Sequence, residues 1–478
     1  MRTTFKTLAF QFLSAGVVLA AGSAGAAEVA LPKDLPPYGN DKPLPVPAIT
    51  QKALPNGLAV WVLPRTDGPP KVDLVLAVRG GKAADATELP AMSDLLAALL
   101  TEGTKTRSSV QIAEQLQAIG ASLGASAGND GITVAASGLA SGAERLVDLL
   151  ADVSLNASFP ETEVKLAKVN ALQELKAAEA EPDYQANRAI ARAVYGDHPY
   201  GRTLATESSI EKTDRATLAA AHAARFRPDQ ALLVISGRID ADTALKLATA
   251  AFGSWKGQGT APAAVAAAPR EAKPQHVLVE RSGSVQSAVR LGRPVFAAND
   301  ADEIPAALAN TVLGGGGLDT RLNRNLREEK GYTYGAYSSF SIAQRGGAFT
   351  SGADVRNEVT GAAVGEFVKE LQRLVDEPVG AAELERAKRA AAGSYLFRNQ
   401  LQAAVARSLA GNWLAGRPPE YLGQFVPRTR EVTSAQIQAV ARKYFDPKTL
   451  SVVVVGDNAV ADQLKPYGTF APAAAAGR

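Results

Sequence analysis

Short runs of alternating apolar and polar residues take turns along the chain with longer stretches of helical spacing. Runs 58–63 and 72–78 are rich in β-branched residues and leucine, follow an Asn56-Gly57 turn signal, and read as strands. A helix follows from Pro90. Met92, Leu95, Leu96, Leu99 and Leu100 recur at i, i+3, i+4, i+7 and i+8 on one face, while Asp94, Ala97 and Ala98 share another. Ser108 with Gln111 and Ser141 with Glu144 have capping-box spacing and predict two further helix starts. A long helix is expected over 161–180 and another over 209–225, with a strand closing this half. Beyond residue 275, strand patterns fall at 276–281, 286–293, 332–340 and 347–354. Helical patterns there fall near 302–313, 318–330, 358–376, 381–412 and 434–444. The mixture is α+β or mixed α/β, not a doubly wound nucleotide fold.

The pattern divides at 257–274, a stretch rich in Ala, Pro and Gly without periodicity that reads as an interdomain linker. The pieces on either side, 50–256 and 275–468, end alike. Ala224-Arg225-Phe226-Arg227-Pro228 leads into the apolar run 231–235 and Gly237. Arg442-Lys443-Tyr444-Phe445-Asp446-Pro447 leads into 450–455 and Gly456. Phe226 with Phe445, Pro228 with Pro447 and Gly237 with Gly456 all share an offset of 219, which argues for duplicated domains. A tail, 469–478, follows.

The 478 residues contain no cysteine and three histidines. A disulfide scaffold, a thiolate zinc site, an iron–sulfur cluster and a cysteine nucleophile are therefore excluded. The formal net charge of +3 does not describe a nucleic-acid binder. At the N-terminus, Arg2 and Lys6 precede an apolar run over 8–21 and the small-residue pattern Ala24-Gly25-Ala26. This reads as a secretory signal, 1–26, cleaved after Ala26 or Ala27. The apolar run is shorter than the roughly 20 residues a membrane span needs. In a Gram-negative source the expected compartment is the periplasm, with no membrane anchor. Residues 27–49 carry six prolines and predict an extended arm, either a disordered leader or a segment lying along a partner.

Gly314-Gly315-Gly316-Gly317 is not a phosphate loop. No Gly-Lys-Ser/Thr follows it, and it lies between two helical patterns. The informative segments are Leu54-Pro55-Asn56-Gly57-Leu58, the helix ending in Glu102-Gly103-Thr104, and His198-Pro199-Tyr200-Gly201-Arg202. With them goes Arg321-Leu322 through Leu326-Arg327-Glu328-Glu329-Lys330-Gly331-Tyr332-Thr333-Tyr334. On these the chain resembles the pitrilysin/insulinase family of inverted-zincin metallopeptidases.

The resemblance implies two homologous domains, each a mixed, mainly antiparallel sheet packed against helices. In active members the first helix carries His-x-x-Glu-His: the histidines bind zinc, the Glu is the general base, and a distant Glu completes the ligand set. The corresponding residues here are Asp94, Ala97 and Ala98, with Glu174 near the place of the distant ligand. Alanine can neither ligate a metal nor take a proton. His198, His222 and His276 are too scattered to substitute, so no metal or other cofactor is expected on this chain. The resemblance also implies roles for Arg327 and Tyr334, seven residues apart in the second half. The guanidinium would hold a substrate carbonyl and the phenol would donate to the oxyanion. Read locally, Arg327 would instead pair with Glu328 or Glu329, and Tyr334 would pack beside Tyr332 on one strand.

Some bacterial members work as heterodimers. The expectation is therefore a zinc-less subunit of a secreted metallopeptidase, with zinc in a homologous partner carrying the intact motif and peptides or unfolded segments as substrate. The alternative is a non-catalytic structural or peptide-binding protein of the same fold.

Overall fold

The structure, a computed structural model, describes residues 48–65, 68–271 and 274–473. The expected signal sequence 1–26, almost all of the proline-rich arm and the end of the tail lie outside the described residues.

Alternation decides which way each side chain faces. In 71–79, Val72, Leu74, Leu76 and Val78 join one core, while Val75 and Ala77 join a different one on the opposite face. The strands are β1 (Thr50–Ala53), β2 (Ala59–Pro64), β3 (Lys71–Arg79), β4 (Ser122–Ala127), β5 (Gly131–Leu139) and β6 (Ala231–Gly237), followed by β7 (His276–Glu280), β8 (Gln286–Val295), β9 (Ala336–Ala343), β10 (Gly346–Arg356), β11 (Ser451–Gly456) and β12 (Ala471–Pro472). They form two six-stranded sheets of matching order, β1-β2-β6-β3-β5-β4 and β12-β7-β11-β8-β10-β9. Pairing is antiparallel except at β2–β6, β7–β11 and β7–β12. The expected α+β halves, each a mixed and mainly antiparallel sheet with helices, are what the chain forms.

One face of each sheet is covered by helices of its own half. The other face is covered by a helix from the opposite half. Pro182–Tyr195 lays Ala186, Ile190, Ala193 and Val194 on Ala288, Val453 and Val455 of the second sheet. Gln402–Leu414 lays Val405, Ala406, Leu409 and Ala410 on Trp61, Leu63, Val75 and Val234 of the first. The first turn of each exchanged helix also bonds to the sheet it covers. Asp183 pairs with the buried Arg290 of β8, and Gln402 Nε2 donates to Asp73 of β3 (2.8 Å) and to Ser236 O (3.0 Å).

The His198-Pro199-Tyr200 motif rivets the same joint. Tyr200 Oη donates to Asp130 (2.6 Å) and accepts from the Arg345 N–H (3.1 Å), while Asp130 accepts from the Gln344 N–H (2.7 Å). His198 Nε2 donates to Ala266 O (3.1 Å) and the Ala268 N–H to Arg345 O (2.7 Å), so residues 266–268 of the linker are tied to both halves.

Several local expectations change. The Ser108–Gln111 capping box forms, but Ser141 does not cap, because 140–142 winds into a short 3-10 turn and the helix Ala143–Leu155 starts after Gly142. The 209–225 helix is two, Glu207–Lys212 and Arg215–Arg225, split where Asp214 caps the second. The 381–412 helix is also two, split at Asn399, whose side chain bonds Tyr395 O and Ser408 Oγ. The 318–330 pattern is wound largely as a π-helix, Asn323–Glu329.

His222 lies half-buried on Arg215–Arg225, stacked on Phe226 (4.4 Å between ring centroids), with Nε2 donating to Ser154 O (2.8 Å). Burial lowers its imidazole to about 4 from the ordinary 6.5. Between those values the unfolded chain binds a proton that the folded chain does not, so this contribution is complete above pH 6.5 and is lost as pH falls toward 4. Denaturant unfolding at pH 7 and pH 5 should show a loss approaching 1.4 kcal/mol per pH unit at its steepest from this group. His222→Gln should flatten that part of the dependence; an unchanged slope would refute the assignment.

Candidate functional site

The helix Met92–Leu99 starts after Ala91, which sits in the left-handed region (φ 59°). A buried carboxylate fixes its first turn: Asp85 accepts from the Ser93 N–H (3.0 Å) and Ser93 Oγ (2.6 Å). Arg225 balances that charge at 2.7 Å and donates onward to Gly80 O and Ala84 O. Burial pushes the Asp85 carboxyl up despite these bonds.

Met92, Leu95, Leu96 and Leu99 pack in the core, and Asp94 and Ala98, together with Met92, Leu95 and Leu99, line a cavity of about 540 Å³. Across it runs the helix Glu161–Ala180, which contributes Glu163, Leu166, Ala171, Glu174 and Leu175; Glu102 and Tyr184 also line the space. Asp94 reaches Lys82 at 3.4 Å, and partial burial raises its carboxyl above the usual range. Ala97 is packed in the core and does not line the cavity.

The cavity offers carboxylate, hydroxyl and amide oxygens but no imidazole or thiolate, and a methyl stands at position 98. Zinc selects imidazole and thiolate in tetrahedral sites. No group of three or more His, Asp or Glu side chains is placed to hold a metal among the described residues. The cavity therefore does not fit a zinc ion. The histidines are committed elsewhere, His198 to the 257–274 stretch, His222 to the core and His276 to stacking on Phe470. Glu174, near the place of the distant ligand by resemblance, shares the cavity with Asp94 and Ala98. Glu102 and Tyr184 were not foreseen as lining residues; the Glu102-Gly103-Thr104 helix end was the available signal for the first.

In the second half, Arg327 sits near the end of the π-wound turn Asn323–Glu329, half-buried, with no hydrogen bond or ion pair among the described residues. It does not pair with Glu328 or Glu329. Tyr334 is 96% exposed. The strand expected from residue 332 begins only at Ala336, so Tyr334 stands on a bend before β9 rather than on the strand. Gly331 at φ 62° turns the chain, and Thr333 Oγ1 accepts from the Gly335 N–H (3.1 Å) and donates to Gly335 O (3.0 Å). Tyr332 packs against the core while Tyr334 does not. Neither Arg327 nor Tyr334 lines the cavity of the first half.

Two family models match the chain: "Insulinase (Peptidase family M16)" over residues 60–208 and "Peptidase M16 inactive domain" over residues 212–391. An uncharacterized zinc protease of Mycobacterium leprae is 28% identical over 305 residues, 63% of this chain and 68% of that protein. One from Mycobacterium bovis is 30% identical over 259 residues, so the match spans little more than half of that relative, 58%, and 53% of this chain. The Bacillus subtilis protein YmxG, also an uncharacterized zinc protease, is 25% identical over 76% of this chain and 88% of its own length. A solved peptidase M16 inactive domain from Pseudomonas fluorescens superposes with a TM-score of 0.80 at 25% identity, covering 86% of this chain and 98% of its own. A Helicobacter pylori protease shares the fold at the same TM-score with 17% identity, covering 86% of this chain and all of its own.

Proposed function

The chain belongs to the insulinase family of peptidases, and from that premise we propose that it is the zinc-less subunit of an exported, heterodimeric metallopeptidase. Zinc, on this reading, resides in a homologous subunit with an intact His-x-x-Glu-His helix, and the two chains enclose a chamber that admits peptides and unfolded segments. This chain binds and orients. Arg327 holds a substrate carbonyl with its planar fork, and Tyr334 donates from its phenol to the oxyanion that forms as the peptide bond is attacked. On this reading the N-terminal signal exports the chain, to the periplasm if the source is Gram-negative.

The observation that carries the reading is an inversion of what each half retains. The first half keeps the cavity but has lost the donors zinc requires. The second presents a guanidinium without a partner among the described residues and a phenol almost fully in solvent. Arg225, Arg290 and Tyr200, by contrast, are tied down by ion pairs or hydrogen bonds. The test is substitution of Arg327 and Tyr334 in the assembled complex. Hydrolysis should collapse while assembly persists. Unchanged hydrolysis would favour a non-catalytic peptide-binding protein that keeps its acidic, apolar-walled cavity for a ligand.

A further inference from the structure

Arg327 and Tyr334 have free head groups on a backbone that is held at many points, and one buried side chain joins the two segments that carry them. Asn323 is only 3% exposed. Its Nδ2 donates to Ala336 O (3.0 Å) and to Gly317 O (2.9 Å), while its Oδ1 accepts from the Ala336 N–H (2.9 Å). A single amide thus satisfies both backbone polar groups of the first residue of β9, an edge strand, together with the last carbonyl of the glycine run. Arg327 lies four residues after Asn323 on the same helix, and Tyr334 lies two residues before Ala336.

We propose that Asn323 is the positioning residue that sets the spacing of Arg327 from Tyr334; this rests on the function proposed above. The chemistry admits few substitutes. Aspartate would set a carboxylate against two carbonyl oxygens, and an apolar side chain would leave the Ala336 N–H and C=O buried without partners. Neighbouring bonds keep the rest of the connection in place. The Tyr332 N–H donates to Leu326 O (2.8 Å), the Lys330 N–H to Asn325 O (3.0 Å), and Arg356 to Gly331 O (3.2 Å). Asn325 Nδ2 anchors the helix to Glu366 and Glu370, both at 2.7 Å. Asn323 is the member of this set that bonds to the strand start itself.

The test uses the full chain assembled with its zinc-bearing subunit. Asn323→Asp should lower kcat about 10²-fold, the effect of a misplacement of about 1 Å, with KM changed by no more than about twofold. In a Tyr334→Phe background the same substitution should have less than about a twofold further effect, because a positioning residue acts through the group it places. Asn323→Ala provides a second variant of neutral charge. If Arg327→Ala and Tyr334→Phe leave hydrolysis intact, the functional reading fails. If those two lower it while an assembled Asn323 variant keeps the wild-type kcat, or costs as much with Tyr334→Phe as without, the positioning role fails and the functional reading stands. Failure of both Asn323 variants to assemble would mark a purely structural residue and overturn the proposal.

Discussion

Arg327→Ala should lower kcat/KM of the proposed complex for peptide hydrolysis about 10²- to 10³-fold, the usual consequence of removing one preorganised donor from an oxyanion or carbonyl site. The loss should appear in KM as well as kcat, because a fork that holds the substrate carbonyl acts before and during the reaction. Tyr334→Phe should lower kcat with little change in KM, since the phenol meets charge only as the oxyanion develops. Arg327→Lys should recover only part of the loss, because an ammonium cannot reproduce the two-point geometry. Stability separates this result from misfolding. Arg327 has no partner to lose among the described residues and Tyr334 is almost wholly in solvent, so both variants should unfold within about 0.5 kcal/mol of the wild type. Steady-state kinetics and denaturant unfolding of the same preparations check both statements.

Asp94→His combined with Ala98→His should give the isolated chain one tightly held zinc, where the wild type retains no stoichiometric metal. The two positions are four residues apart on Met92–Leu99, so their side chains lie on adjacent turns, and both face the cavity that Glu174 enters from the opposite helix. Two imidazoles and a carboxylate restore a zinc-type donor set. Removing Asp94 gives up only the pair with Lys82, which is half in solvent and contributes at most about 1 kcal/mol. Adding Glu174→Gln to the double variant should weaken the metal substantially. Hydrolysis should not return, because Ala97 carries no carboxylate and points into the core. Metal analysis after gel filtration decides the matter. Stoichiometric zinc on the wild-type chain, or none on the double variant, contradicts the account of this cavity.

Which parts of this were legible in the sequence follows from where the physical signal lies. The strand cores at 72–78 and 276–281 and the helix at 161–180 show because apolar periodicity or length is strong there. β4, Ser-Leu-Gly-Ala-Ser-Ala, consists mostly of small residues and gives almost no pattern. Local spacing does not mark the exchanged helix Pro182–Tyr195 and does not separate Gln402–Leu414 from its neighbour. Both bury small alanines against a sheet from the other half, a contact with no counterpart in local spacing. At the site, the four-residue spacing of Asp94 and Ala98 was readable, but their sharing a cavity with Glu174 was not. Arg327 does not pair with the adjacent Glu328 or Glu329, because neighbours one or two apart on a helix do not face each other; the π-winding of that helix is what composition does not announce. The two-residue spacing of Tyr332 and Tyr334 and the aromatic content of 332–340 point to a strand that includes Tyr334. Gly331 and the Thr333–Gly335 bonds delay the strand and lift the phenol off the sheet.

The central claim is that this chain lacks zinc and works beside one that has it. The most direct measurement is the intact mass, with metals retained, of the complex isolated gently from its native host. The account predicts a second chain of similar size carrying one zinc, bound to this chain in equal number and able to hydrolyse peptides. A zinc-free monomer or homodimer with no such companion would contradict it.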